Sequence, residues 1–158
     1  MQQARQNFFR ALNGIFAKIG TKASPNVILS LVNAYCLPVL LYGIEAMTIT
    51  VKLSNCLDNA FRNVFAKIFY TYDKSTITNC QYYCGTLPLC YRIDMRSFEF
   101  FNGVKTSFNE CLKFHFFRVG VKELVKLQKK YDISSDVTCS QFRHVVWTGF
   151  EKMVDLLV

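Results

Sequence analysis

Proline and glycine are scarce in this sequence: only 3 prolines and 7 glycines interrupt 158 residues. Hydrophobic residues make up 51% of the chain, and 15 Phe and 8 Tyr add a heavy aromatic load. Disordered segments are poor in aromatic residues, so this composition excludes disorder and predicts a folded protein with an aromatic core. The length suits one domain or two small ones.

The sequence also lacks a sustained two-residue alternation of apolar and polar residues, and we therefore expect no sheet. Apolar residues recur instead at three- and four-residue steps, most clearly over 53–69. These patterns predict an all-α fold, an irregular helical bundle of about six to seven helices. Thr50 is the predicted cap of the clearest helix, Ser24 and Pro25 are predicted to begin an earlier one, and Gly20 is the predicted end of the first.

No cluster of residues typical of catalysis or metal binding is visible. The 11 acidic residues are scattered singly, whereas two-metal phosphoryl chemistry requires clustered carboxylates. A glycine-rich phosphate loop is missing, and the cysteines and histidines lack the paired spacing that is typical of zinc sites. We expect no active site, no metal and no cofactor in this chain.

The 7 cysteines are odd in number and show no disulfide framework. The first residues are polar and amphipathic, unlike a signal peptide, so we expect an intracellular protein, nuclear or cytoplasmic, with reduced buried thiols. The apolar stretch 28–47 is long enough to cross a bilayer. Because it contains Pro38, Gly43 and Glu45, which are costly or disruptive in lipid, we predict a packed core helix that is kinked or broken near Pro38.

Acidic residues are outnumbered: 19 Lys and Arg against 11 Asp and Glu give a net charge of +8. This excess favours a polyanionic partner, either nucleic acid or an acidic membrane surface. Basic side chains on one helix face neutralise phosphates without reading base sequence, although each stripe can equally be a solvated face. The predicted nucleic-acid-binding residues are Arg10, Lys18, Lys22, Lys122, Lys126, Lys129 and Lys130.

Glu45 is the one acid inside the apolar run. Arg5 projects onto the apolar side of the first predicted helix, and a buried charge requires a partner. We predict that Arg5, or failing that Arg10, pairs with Glu45 and fixes the first helix to the second.

The segment 35–47, "YCLPVLLYGIEAM", resembles the segment after the palm in reverse transcriptases of non-LTR (LINE-like) retrotransposons. A pattern close to Pro-x-Leu-Leu-Tyr-Gly-x-Glu recurs there, and it is matched here by Pro38, Leu40, Leu41, Tyr42, Gly43 and Glu45. The helical stretches on either side are similar to the thumb helices and the region beyond them, so the resemblance covers 4–101. It implies structural roles for Pro38, Tyr42, Gly43 and Glu45.

The catalytic aspartates of the palm, the fingers, an endonuclease domain and a Cys/His knuckle are all missing. The resemblance therefore implies a non-catalytic C-terminal fragment of an RNA-directed DNA polymerase, or the product of a truncated element. In that family the thumb helps to hold the template–primer duplex, which implies duplex binding here. We expect a thumb-like helical bundle over 1–118 and a C-terminal helical extension over 119–158.

Two other interpretations stay open. The chain can be a helical protein–protein interaction module, relic or domesticated, that packs against the missing palm or another protein and self-associates when isolated. Peripheral membrane attachment by the first helix is a weaker alternative.

Overall fold

In the computed structural model, the described residues are 2–19, 23–47 and 49–157. Seven helices and a short 3₁₀ turn account for most of them, and no strand occurs in these ranges. The all-α prediction is confirmed. The helices are α1 (Gln2–Ile19), α2 (25–41), α3 (Val51–Phe69), α4 (Lys74–Tyr83), α5 (Leu89–Lys105), α6 (110–131) and α7 (Cys139–Asp155), with the 3₁₀ turn at Ile44–Ala46.

The described residues divide into two compact units. The first comprises those of 1–44 and 49–90, and the second those of 45–48 and 91–158. The predicted domain boundary between 118 and 119 lies inside the second unit, within α6. That boundary stays a prediction.

The first unit is built around apolar faces of α1, α2 and α3. Phe8 and Leu12 of α1 are fully buried, and α1 packs against the second half of α2 and against α3. Phe61 and Phe65 of α3 are also fully buried, with ring centroids 5.4 Å apart in an edge-to-face arrangement. The four-residue spacing that predicted α3 therefore marks its core side.

Helix α2 contains an irregular turn instead of a break. It runs as α-helix over Pro25–Leu31, as π-helix over Val32–Cys36 and again as α-helix over Leu37–Leu41. A proline ring clashes with the carbonyl four residues before it, here that of Ala34. Within the π turn the Leu37 N–H donates to the Val32 carbonyl, five residues back. The wider turn lets the helix continue through Pro38.

Gly43 ends α2. Its φ of +68° lies in the left-handed region that side chains with a Cβ avoid. The chain turns there and enters the 3₁₀ turn Ile44–Ala46, where Ile44 is fully buried. Glu45 therefore lies beyond the end of α2.

The predicted helix starts are mostly confirmed. The Thr50 hydroxyl accepts a hydrogen bond from the Leu53 N–H at 3.3 Å, as a cap of α3 should. Ser24 occupies the N-cap position of α2 before Pro25, but its side chain makes no capping hydrogen bond. Gly20, the predicted end of α1, lies outside the described residues.

The second unit has an aromatic core between α5, α6 and α7. Phe98 of α5 stacks on Phe142 of α7 at a centroid distance of 4.1 Å, and Tyr131 meets Phe142 edge-on at 5.2 Å. Gly120 lies in a π-helical turn of α6, Phe116–Gly120. A Cβ at Gly120 would stand 2.9 Å from the Phe101 ring of α5, so glycine permits the close approach of these helices.

None of the helices in the described ranges combines the length and the hydropathy that crossing a membrane requires.

Lowering the pH should reduce the stability of the first unit, because it protonates Asp73, the N-cap of α4. Hydrogen bonds from the Ser75 hydroxyl, and then from the Thr76 N–H at 2.7 Å, lower the pKa of Asp73 from 3.8 to about 2. Because the folded pKa is depressed, this stabilisation is complete above the unfolded value and is lost as pH falls towards about 2. We expect the unfolding free energy, measured by urea denaturation, to fall less between the unfolded pKa of 3.8 and pH about 2 in Asp73→Asn than in the wild type. Equal falls in the wild type and in the variant would contradict this prediction.

Gln81 should lower the stability of the first unit, because it buries an amide for which the described residues supply no hydrogen-bond partner. Its side chain in α4 is fully buried, and neither its Oε1 nor its Nε2 has a hydrogen-bond partner among the described residues. Removing an unpaired buried polar group recovers roughly 1–3 kcal/mol of desolvation. We therefore expect Gln81→Met, which keeps the length of the side chain, to raise the unfolding free energy by that amount in urea denaturation. A loss of stability would mean that the amide has a partner, such as a buried water.

Candidate nucleic-acid interface

The predicted basic face of α1 is present at the surface of the first unit. Arg10 and Lys18 are both exposed, and they lie eight residues apart. At a rise of about 1.5 Å per residue, this separates them by about 12 Å along the helix. Lys22, the third predicted cation of this group, lies outside the described residues.

A shallow groove of about 330 Å³ lies beside Lys18, between α1 and α2. Most of its lining is apolar, and a Cβ added at Gly14 would meet no atom within 4 Å, which leaves the groove open there. Tyr35, in the π turn of α2, is 66% exposed. The lining residues are Ala11, Gly14, Ile15, Lys18, Ile19, Leu31 and Tyr35.

Helix α6 in the second unit carries the other predicted basic stripe. Its buried side consists of Phe116, Gly120, Leu124 and Leu127. Away from that side the helix presents two parallel rows at four-residue spacing, because residues i and i+4 lie on one face. We call them the basic row, Arg118, Lys122, Lys126 and the adjoining Lys129, and the apolar row, Phe117, Val121 and Val125.

The basic row begins a turn earlier than the sequence predicted. Arg118 is exposed and lies over the Phe114 ring, 5.8 Å from its centroid. The position of Arg118 four residues before Lys122 is consistent with the same helix face. The apolar pattern over 110–120 does not predict a clear helix, so the sequence offered no reason to extend the stripe to Arg118. Within the described residues, Arg118, Lys122 and Lys129 make no ion pair, whereas Lys126 pairs with Glu123 at 3.6 Å.

Lys130 differs from the other lysines of the predicted stripe. Its ammonium pairs with the Asp94 carboxylate of α5, which also accepts a hydrogen bond from the Tyr131 hydroxyl at 2.7 Å. Lys130 points around the helix to a neighbour within the second unit, so it is engaged in packing α6 against α5. Sequence spacing alone could not find Asp94, which is 36 residues away.

The apolar row is exposed to an unusual degree for large side chains. Phe117 is 73% exposed, and Val121 and Val125 are also on the surface. Phe108 and Phe114 add further exposed aromatic surface in the same part of the chain. Exposed clusters of this kind are typical of binding surfaces.

The predicted pairing of Arg5 or Arg10 with Glu45 is wrong. Arg5 is exposed, and its guanidinium donates to the Cys56 Sγ of α3 at 2.8 Å. Glu45 pairs instead with Arg96 of α5, at 3.8 Å. The reason is the turn at Gly43, which removes Glu45 from the end of α2 and places it in the second unit.

Two other residues of the matched segment do little packing. Pro38 is exposed, and its influence is on the backbone of α2. The Tyr42 side chain is 88% exposed at the end of that helix. A structural role for Tyr42 therefore gains no support from its contacts, although its backbone leaves the helix in an extended conformation.

The cysteines offer no site in the described part of the chain. None of the seven cysteines forms a disulfide within the described ranges. Burial raises the pKa of Cys36, Cys80 and Cys84, and Cys80 raises that of Cys84 further, so these thiols are poor nucleophiles. Across the described residues no three His, Cys, Asp or Glu side chains converge to hold a metal ion.

The Glu45–Arg96 pair should contribute little to stability. The Glu45 side chain is 23% exposed and that of Arg96 43%, and such part-exposed pairs are worth about 0–1 kcal/mol. We expect a double-mutant cycle with Glu45→Gln and Arg96→Gln, measured by urea denaturation, to give a coupling energy in this range. A loss of about 3–5 kcal/mol from either single variant, the cost of removing one partner of a buried pair, would contradict the part-exposed geometry.

No protein-family model, curated protein or solved structure matches the chain.

Proposed function

We propose that this chain is a non-catalytic, thumb-like fragment of a LINE-like reverse transcriptase, an RNA-directed DNA polymerase. In this proposal it binds a template–primer or another nucleic-acid duplex through the phosphate backbone. The observation that carries the binding function is the basic row of α6, with three cations that have no ion pair among the described residues. The family assignment itself depends on the resemblance of 35–47.

The spacing of the basic row suits a phosphate backbone. Neighbouring cations four residues apart are separated by about 6 Å along a helix. Phosphates along one strand of a duplex rise by about 3.4 Å each, so that every second phosphate comes near one cation. Arg118 and Lys122 would bind phosphates differently, because a guanidinium donates two parallel hydrogen bonds to a phosphate whereas an ammonium acts as a point charge.

Binding of this kind is independent of base sequence. Lysine ammoniums on flexible stems give affinity and register but carry no information about base edges. Loss of counterions from the duplex makes the affinity fall with salt, in proportion to the number of phosphates neutralised. Arg10 and Lys18 form a second candidate contact on the first unit.

The lack of a disulfide among the cysteines of the described residues supports an intracellular location, nuclear or cytoplasmic, because disulfides are rare in those compartments. The missing palm of the parent enzyme, or another protein, is the second partner that we propose. The apolar row supports a protein partner, because Phe117, Val121 and Val125 are exposed to water and exposed apolar patches are typical of protein–protein interaction sites.

The apolar row also supports an alternative, a helical protein–protein interaction module with no nucleic-acid role. If that is the function, Phe117→Ser should abolish self-association or partner binding, whereas neutralising the basic row should not. Analytical ultracentrifugation of both variants would separate the two candidates.

The decisive prediction concerns salt. We expect a fluorescently labelled RNA–DNA hybrid to bind the chain with a log–log salt slope of about −3, from three or four phosphates at roughly −0.9 each. Lys122→Gln/Lys129→Gln should reduce the magnitude of that slope by roughly 2, since each lost phosphate contact removes about 1. The measurement is fluorescence anisotropy at several salt concentrations, with two unrelated duplex sequences.

Lys130→Gln is the matched control, because it removes the same charge from the same helix but from a lysine already paired with Asp94. It should leave the slope nearly unchanged. Arg10→Gln/Lys18→Gln tests the contribution of α1 in the same way. Absence of binding at low salt from a folded sample, or equal effects of Lys130→Gln and the double variant, would contradict the proposal.

A further inference from the structure

Duplex binding leaves the apolar row of α6 without a contact. This row runs beside the basic row, and its first member, Phe117, is 73% exposed. The bases of a duplex are paired and stacked inside it, so a helix that lies along the phosphates meets only the backbone. The nucleic acid that uses the whole surface should therefore offer a flat apolar group beside each negative charge.

Aromatic rings and a cation are intermixed where the two rows begin. The Phe114 ring is 65% exposed, and the guanidinium of Arg118 lies over it at 5.8 Å from the centroid. Phe117 directly precedes Arg118, and its ring meets the buried Phe116 edge-on at a centroid distance of 6.0 Å. Phe116 supports the Phe117 ring from the core side and leaves most of it open to solvent. Two exposed rings and one cation thus lie together within 114–118.

The spacing of the rows suits an extended single strand. Successive cations of the basic row are about 6 Å apart along the helix, nearly twice the rise of about 3.4 Å per phosphate in a duplex strand. An unpaired strand is not held at that rise, so it can stretch until neighbouring phosphates meet neighbouring cations. Its bases are then free to stack on protein rings. Such a strand presents a line of phosphates and a line of bases, as α6 presents a basic row and an apolar row.

An anionic membrane also combines charge with apolar material, but it suits this helix less well. A helix that lies in a membrane surface turns a wide apolar face into the bilayer. The wide apolar face of α6 is already buried in the second unit. The apolar surface left over is a single row, in which Val121 and Val125 are each less than half exposed. A row this narrow, with cations directly beside it, favours a strand over a bilayer.

We propose that α6 binds single-stranded nucleic acid, with the phosphates on the basic row and bases stacked on Phe114 and Phe117. The inference rests on the proposed phosphate binding by the basic row, and it names the unpaired strand as the form of nucleic acid that contacts both rows. Stacking on an aromatic ring is tolerant of sequence, because every base has a π-face. We therefore expect no preference for one base.

The first experiment removes the bases and keeps the phosphates. A labelled oligothymidylate is compared, by fluorescence anisotropy at one salt concentration, with an abasic strand of the same length and charge. The chain should bind the oligothymidylate roughly five- to a hundredfold more tightly, the range that stacking of one base on an aromatic side chain provides. Equal affinity for the two strands would overturn the inference and leave backbone binding intact.

Variants of the exposed rings locate the effect. Phe117→Leu keeps an apolar side chain but removes the ring, so it should lose most of the preference for oligothymidylate over the abasic strand, whereas Phe117→Tyr should retain it. Val125→Ala is the matched control, because it shortens the apolar row away from the rings and should leave the preference unchanged. A preference that survives Phe114→Leu/Phe117→Leu would place the bases elsewhere and contradict the inference.

The blunt RNA–DNA hybrid separates this inference from the proposed function. Phe117→Leu should leave the affinity for the hybrid unchanged, because paired bases are not accessible to the ring. If the hybrid does not bind but oligothymidylate binds with the expected dependence on Phe117, duplex binding fails and the single-strand inference stands. If the hybrid binds while oligothymidylate and the abasic strand bind alike, the inference fails and the proposed function stands.

The other occupants of the apolar row are tested with Phe117→Ser. Sedimentation with vesicles of phosphatidylcholine and phosphatidylserine tests a membrane, and analytical ultracentrifugation tests self-association. A variant that loses affinity for oligothymidylate, with no change in vesicle binding or self-association, would support the inference. A variant that loses vesicle binding or self-association, with an unchanged affinity for oligothymidylate, would overturn it.

Discussion

Pro38 has no backbone N–H, and its ring excludes the normal position of the carbonyl four residues earlier. In α2 this is resolved by the π turn Val32–Cys36, in which the Leu37 N–H reaches back to Val32. The helix therefore continues to Leu41 and keeps Leu40 and Leu41 in the core of the first unit. The same turn presents Tyr35 at the surface beside Lys18.

A second π turn lies in α6. It contains Gly120, where the missing Cβ permits the contact with Phe101. This helix has a buried side, a basic row and an apolar row. An amphipathic helix of a small protein normally has one apolar face. The additional apolar row is why a protein partner stays in the proposal beside nucleic acid.

The ion pairs separate lysines that look alike in the sequence. Lys126, Lys129 and Lys130 belong to one predicted stripe, yet Lys130 is held by Asp94 and Lys126 by Glu123. A part-exposed ion pair contributes little to the stability of the protein. The carboxylate nevertheless neutralises much of the lysine's charge, so that a paired lysine binds a phosphate less strongly than an unpaired one. The cations to which we assign binding are therefore fewer than the sequence suggested, and they include Arg118, which was not among the predicted residues.

Periodicity, caps and breakers are local properties, and they were sufficient to predict the all-α fold, the course of α3, the cap at Thr50 and an irregularity near Pro38. The partners of Arg5 and Glu45 were not predictable in this way, because Cys56 and Arg96 are each 51 residues distant in the chain and approach only through packing. The form of the irregularity, a π turn and not a break, was not predictable from the pattern either, because a proline inside an apolar run can kink a helix or end it. In the folded chain Val32 and Cys36, at the two ends of the π turn, are both fully buried. Charge and spacing marked the surfaces, and only the folded chain decided which cations remain available on them.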